Sequence, residues 1–536
     1  MLKISNTKII FIVIAIWYAV GNFIWWQIHT PILPSAISSK HFLDIFTEGN
    51  LFYNAPLLTY IMRFMFYIFG KEYFDLIVIF INYIFFLIPL YFIYKIGTEL
   101  KDKETGNIAM ILFAMVPAIY GLSRFYGHQD YHIMTAITFN IYCLIMTDYF
   151  KSKKWSIIYG ISVGFGLMIK DQFLPYFFIP FLYIGFISLK QNIKLTNIVN
   201  ILLSVLIGSL ISGWHYFRTH IIRKILSEPI SEPGAPIFSF DSIRVMTTGL
   251  WEELLSPPIF LLFLIGLIYF IWKYKHKYKY IILLWIFVPW SIILFMLHLK
   301  LAEYGAGFIP AMVLIGSIFL SAVKIQKIKN FILVLVIITG ILQYIDFSYA
   351  INTKLFNRYF KYKNYKVMYY NKYNDFIIYH DEFSKKTKQI VAITNYLKQN
   401  DLHSNIFIKE YKETKNSIEL SELIIFMHVN NFNNINYDNV LFFPSIDNID
   451  IVIKFYNDLT PEQEIKNRTD ILYINKSEEI YRHLKKNFDA SQKKLIQREK
   501  TISTDFYKIS SLYLDNIKED RNKISILKRK TEVVKE

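Results

Sequence analysis

The residues able to do chemistry fall into a few short polar groups separated by apolar runs. The densest is Arg124-Phe-Tyr-Gly-His128-Gln-Asp130-Tyr-His132. An aspartate there can accept a proton, or it can begin a helix, where its carboxylate complements the dipole. His128 and His132 are four residues apart and share one helix face with Asp130 between them, a spacing that permits a divalent metal ion. A second group is Lys170-Asp171. A lysine point charge suits a phosphate; its ordinary alternatives are snorkelling or an ion pair with Asp171. A third runs from Trp214 to Arg218, with an arginine able to bind an anion beside aromatics of interface-belt type. A fourth is His298-Leu-Lys300-Leu-Ala-Glu303-Tyr304, followed by Pro310.

The elements that must position these groups are membrane helices. Of 536 residues, 54% are hydrophobic and 19% charged, and the mean hydropathy is +0.31. That excludes a disordered chain and argues against an ordinary water-soluble enzyme. The single cysteine, Cys143, allows neither an internal disulfide nor a thiol-rich metal site. About eleven segments are long and apolar enough to span a bilayer. They lie near 8–26, 73–94, 107–122, 132–149, 156–169, 172–189, 197–216, 257–272, 280–297, 304–322 and 330–348. Pro56 to Phe69 reads as an interfacial helix.

The net charge of +17 could suggest nucleic acid, but its distribution points elsewhere. Alternate loops hold 17 lysines against four acids, while the opposite loops hold ten basic and twelve acidic residues. The first set is therefore expected in the cytoplasm. This puts the N-terminus inside and everything after about residue 349 outside, with no nucleic-acid partner indicated. Seven of the eight histidines before residue 350 fall on the outer side, as do the long loops 27–72 and 217–256. Chemistry is expected on that face.

Residues 350–536 change character. Short apolar runs at Asn405–Lys409, Val440–Phe443 and Asp470–Ile474 alternate with helical-looking stretches. The expectation is a mainly α, polytopic helix bundle over 1–349, followed by a small α/β extracytoplasmic domain over 350–536. The last ~20 residues, rich in charge, are expected to fray.

Taken in order, the polar groups resemble the GT-C superfamily of polytopic glycosyltransferases. The likeness is to the branch of protein O-mannosyltransferases and lipid A aminoarabinose transferases. Asn54-Ala-Pro56-Leu57 with Phe69-Gly70 is similar to the family's "PPL … lfG" stretch. Asp130 falls where the branch places an acid in the second outer loop. Gly160 to Lys170 is similar to its "Gl..Gla.ltK" run, Trp214 to Arg218 to "pW..rn", and Tyr304 with Pro310 to "rY..p..P". The sequence departs in one place. The family has an acid soon after the first span, whereas Pro31 to Ser39 carries none, and Asp44 stands in for it.

The resemblance implies an integral enzyme of the cytoplasmic membrane that moves a sugar from a polyprenyl-phosphate donor to a glycan, lipid or protein acceptor. Transfer would occur at the outer face by an inverting displacement. Asp44 would be the base and Asp130 its partner or a metal-coordinating acid. Lys170, Arg218, Arg124 and Tyr304 would bind the donor phosphate. A divalent metal ion is the cofactor left open, with His128 and His132 as its ligands. The alternatives are a flippase or transporter, a polymerase or ligase for lipid-linked sugars, and an inactive relative.

Overall fold

The computed structural model describes residues 6–29, 56–123, 129–191, 194–219, 250–296 and 302–349, together with strand segments between 359 and 529. Among the described residues the apolar segments fall mostly on helices, the third on two. Helix α1 spans Thr7–His29, α2 Pro56–Phe69 and α3 Phe74–Leu100. Next come α4 (Lys103–Ala114), α5 (Pro117–Ser123), α6 (Gln129–Met146), α7 (Lys153–Ile169), α8 (Leu174–Gln191) and α9 (Leu195–Thr219). Helices α10 (Pro257–Trp272), α11 (Lys279–Met296), α12 (Ile309–Ala322) and α13 (Gln326–Tyr349) complete the series. Six spans among the described residues are long and apolar enough to cross a membrane, or seven if α4 and α5 count as one. The chain is a multi-pass membrane protein.

The third expected span is broken. Helices α4 and α5 meet at 54°. Pro117 lacks an N–H and biases Val116 away from helical backbone, so the helix stops and restarts there. Helix α2, expected at the interface, is a short apolar helix with one buried side. Leu58, Thr59 and Met62 are buried, while Tyr60, Phe64, Tyr67 and Ile68 are exposed at helical spacing.

Helices α3, α6 and α12 form the centre. Helix α6 carries Asp130, His132, Thr135, Thr138 and Asn140, all buried, which places its polar side chains against protein instead of lipid. It packs on α3 and α7, and α7 packs closely on α9. Glycines permit the α7–α9 approach. A Cβ at Gly160 would lie 2.6 Å from the Ser204 carbonyl oxygen, and one at Gly164 2.6 Å from Ile211 Cβ. Small residues spaced by four on a membrane helix let backbones meet in this way. The repeated glycines before Lys170 thus have a packing role.

The turn joining α6 to α7 is strained. Asp148, Tyr149 and Phe150 have φ of 45°, 60° and 61°. Left-handed backbone costs an L-residue roughly 1–2 kcal/mol. Tertiary bonds hold the turn in place. Ser188 donates to the Tyr149 carbonyl (2.6 Å) and Asn200 to the Phe150 carbonyl (2.7 Å).

The chain divides into compact units Met1–Phe383 and Ser384–Glu536. The first also holds the antiparallel strands β1 (Tyr359–Tyr362) and β2 (Tyr365–Met368). The second holds β3 (Ile406–Lys409), β4 (Ile435–Tyr437), β5 (Ile451–Tyr456), β6 (Phe506–Tyr513) and β7 (Lys523–Arg529). They form a mixed sheet in the order β4-β3-β5-β7-β6. β3 runs parallel to β4 and β5, and β7 runs antiparallel to β5 and β6. The strand expected near 405–409 is present. Those expected at 440–443 and 470–474 lie outside the described residues. The charged C-terminal stretch expected to fray carries β7, which pairs on both sides.

Candidate active site

The site is built where the N-terminus of α6 meets the C-terminus of α7. Lys170 caps α7 in extended backbone (φ −164°), after Gly166 accepts its N–H. A short 3-10 turn, Asp171–Phe173, follows. The ring of Phe173 packs where a Gly166 side chain would lie, with ring carbons 2.4–2.5 Å from a built Cβ. This packing fixes the break in the chain and hence the lysine. Asp130 lies in the first turn of α6. A carboxylate at a helix N-terminus and an ammonium at a helix C-terminus each complement their own dipole.

The two charges also meet each other. Lys170 Nζ is 2.8 Å from Asp130 Oδ1 and 2.9 Å from Oδ2. The side chains are 15% and 6% exposed, so this is a largely buried ion pair. The ammonium stands 5.1 Å from the centroid of the Tyr304 ring, on the 3-10 turn Ala302–Phe308. Tyr176 donates to the Tyr304 carbonyl at 2.7 Å, and the Trp285 indole N–H to the Gly307 carbonyl at 2.9 Å. Those two bonds hold the turn under the lysine. An ammonium has three donors, and both carboxylate oxygens of Asp130 lie within reach of them.

The sequence left open an ion pair between Lys170 and Asp171. The structure pairs Lys170 with Asp130, and Asp171 accepts instead from the Tyr216 hydroxyl at 2.9 Å. That bond ties the chain after Lys170 to α9. Arg218 lies on the last turn of α9. Asp44, Arg124 and His128 lie outside the described residues.

His132 is buried, and its Nε2 is 2.9 Å from Asn82 Oδ1. The Asn82 amide donates to the Ser123 carbonyl at 2.6 Å, which fixes which end of the amide is oxygen. His132 Nε2 therefore carries the proton and donates, and a metal could be taken only through Nδ1. Among the described residues no three histidine, cysteine or acidic side chains gather to hold a metal. Tyr131 donates to the Asn82 carbonyl at 2.9 Å, and its oxygen lies 3.3 Å from that of Tyr18. Asn82 thus holds the two residues that follow Asp130 in sequence. The sequence reading missed Asn82, although it is the one amide inside the apolar run from Phe74 to Tyr94. Tyr176 was missed too, with nothing in the sequence to separate it from the other tyrosines, and Tyr216, inside the Trp214–Arg218 group, was read only as an interface-belt aromatic and not as the partner of Asp171.

Residues 53–217 match the family described as Dolichyl-phosphate-mannose-protein mannosyltransferase. No curated protein matches the chain by sequence. Among solved structures, ArnT from Cupriavidus metallidurans bound to undecaprenyl phosphate is similar at a TM-score of 0.55 and 9% identity, covering 97% of each chain. The same protein in the apo state gives 0.52 and 8% identity, covering 95% of this chain and 97% of that one. The Archaeoglobus fulgidus oligosaccharyltransferase in the apo form gives 0.51 and 10% identity, over 84% of this chain and 70% of that one.

The chain has the GT-C fold. At these identities the likeness is one of fold. Within the GT-C frame, Asp130 and Lys170 both fall inside the matched family region. Asp44, Arg218 and Tyr304 fall outside it.

Proposed function

We propose that the chain is an integral-membrane glycosyltransferase that moves a sugar from a polyprenyl-phosphate donor to an acceptor hydroxyl at the outer face of the cytoplasmic membrane. The observation that carries this reading is the buried Lys170–Asp130 pair beside Tyr304. It supplies a positive charge fixed at a helix break. The orientation rests on the distribution of lysine, and the eleven-span topology on the apolar segments. The Ser384–Glu536 unit is assigned to the same outer side.

The reaction is an inverting displacement. An acid, assigned to Asp44, takes the proton from the acceptor hydroxyl. The acceptor oxygen bonds to the anomeric carbon as the bond from that carbon to the phosphate oxygen breaks. The electron pair leaves with the polyprenyl phosphate. Lys170, joined by Arg218 and Arg124, meets the charge that develops on the phosphate. Asp130 holds Lys170 in place, and Tyr304 walls its other side.

The test is transfer by the purified full chain, using a panel of radiolabelled undecaprenyl-phosphate sugars and membrane-extracted acceptors. Release of undecaprenyl phosphate together with a labelled acceptor supports the reading. Transbilayer movement of the labelled lipid without transfer would replace it with a flippase.

A further inference from the structure

Nine lysines lie on three segments, 151–154, 190–194 and 273–279, that contain no aspartate or glutamate. The fold brings these segments together at one end of the helices through the strained turn at Asp148. The Asp148 carboxylate accepts from Lys277 (3.1 Å) and from the Tyr278 hydroxyl (3.2 Å), with Lys151 at 3.5 Å. Ser188 bonds the same turn, and Asn197, at the start of α9, bonds Ser188. The rings of Tyr183 and Tyr280 meet at 6.0 Å.

A topology signal alone does not account for this concentration. The other lysine-bearing turns, α3–α4 and α12–α13, share the acids Asp102 and Glu104 at the start of α4. There Lys329 pairs with Glu104 at 2.8 Å, and Lys101 bonds Ser321 at 2.7 Å. On the α6–α7, α8–α9 and α10–α11 turns the one acid is Asp148, which is taken by Lys151 and Lys277, and Lys153, Lys154, Lys190, Lys194, Lys273 and Lys275 are exposed. None of them has an ion pair among the described residues. Glu99 acts on this face through His276, whose imidazole is held below its ordinary value by burial.

The surroundings say what covers the charge. The lysines stand directly at the ends of apolar helices. Trp272 is 79% exposed and Tyr280 55% on either side of 273–279, and Leu195 is 75% exposed beside Lys194. A partner must therefore carry negative charge and lie in the membrane plane, where it meets the exposed apolar side chains too. A soluble anion satisfies only the first condition.

We propose that this face seats the phosphate headgroups of anionic phospholipids in the adjoining leaflet. The proposal is independent of the transferase reading, because it uses a different part of the chain and a binding readout.

The test uses the full chain in an uncharged detergent, with lipids retained on the protein counted by native mass spectrometry. Phosphatidylglycerol should be retained in preference to phosphatidylcholine, and less so as sodium chloride rises. Substituting Lys153, Lys154, Lys273 and Lys275 together by glutamine should weaken phosphatidylglycerol retention by at least about tenfold. A control with Lys103→Gln and Lys327→Gln should leave it unchanged, which separates this face from general basicity. Equal retention of the two lipids, or equal loss in both variants, would overturn the proposal. So would inorganic phosphate displacing phosphatidylglycerol at the lipid's own concentration, because the site would then be one for a free anion.

Discussion

Lys170 Nζ touches both carboxylate oxygens of Asp130 across the junction of two helix ends. Forty residues separate the partners in sequence, yet each also sits at the helix terminus that favours its charge.

Breaking this pair should cost both folding and function. Lys170→Ala removes the lysine partner of a buried carboxylate, a loss of roughly 3–5 kcal/mol. Asp130→Asn strands the ammonium in the same way. Both are expected to abolish transfer. The double variant Asp130→Asn with Lys170→Gln removes both charges, so thermal stability should return while transfer stays absent. Activity in the double variant would show that the pair is structural.

Tyr304 should act through its ring. Tyr304→Phe keeps a π face over Lys170 and is expected to retain most transfer, whereas Tyr304→Ala removes it. The measurement is kcat and KM for the polyprenyl-phosphate donor. Equal loss in both variants would point to the hydroxyl instead.

Asn82 should matter without lying in the charged pair. Asn82→Ala removes the acceptor for His132 and the donor to the Ser123 carbonyl. Leaving buried polar groups unsatisfied costs about 1–3 kcal/mol each. The variant should melt earlier and transfer more slowly, and Asn82→Asp should rescue the His132 bond better than alanine.

The close α7–α9 approach predicts a contrast between glycines. Gly164→Val drives a side chain into Ile211 and should destabilise by about 1–3 kcal/mol through overpacking. Gly185 on α8 has no atom within 4 Å of a built Cβ. Gly185→Ala should be neutral or raise stability by up to about 1 kcal/mol. Thermal unfolding in detergent reads both.

Asp148 gives a pH prediction. Burial pushes its carboxyl up, but Lys277, Lys151 and Tyr278 more than offset that and hold it below its ordinary 3.8. A carboxylate lowered in the folded state stabilises fully above its ordinary value and loses that stabilisation as pH falls through the lowered one. Melting temperature should therefore drop as pH falls below about 4, and less steeply in Asp148→Asn. Identical profiles would remove Asp148 as the cause.

The sequence by itself determined the membrane character and the placing of the helices, because bilayer burial demands long apolar runs that composition cannot hide. It also singled out Asp130, Lys170 and Tyr304, since charged and polar residues at helix ends stand out against such runs. Tertiary structure decided which of them meet. The Lys170 partner looked like its neighbour Asp171, and adjacency in sequence is a poor guide where a helix break turns successive side chains apart. Asn82 became informative only when α3 was laid against α6, because one amide in an apolar helix says that it needs a partner and not which one. The break at Pro117 was legible in the residue, but its 54° bend was set by how α4 and α5 pack. Nine of the lysines, spread along the chain as a topology signal, were gathered onto one face around Asp148 by a turn whose left-handed backbone its residue types do not announce.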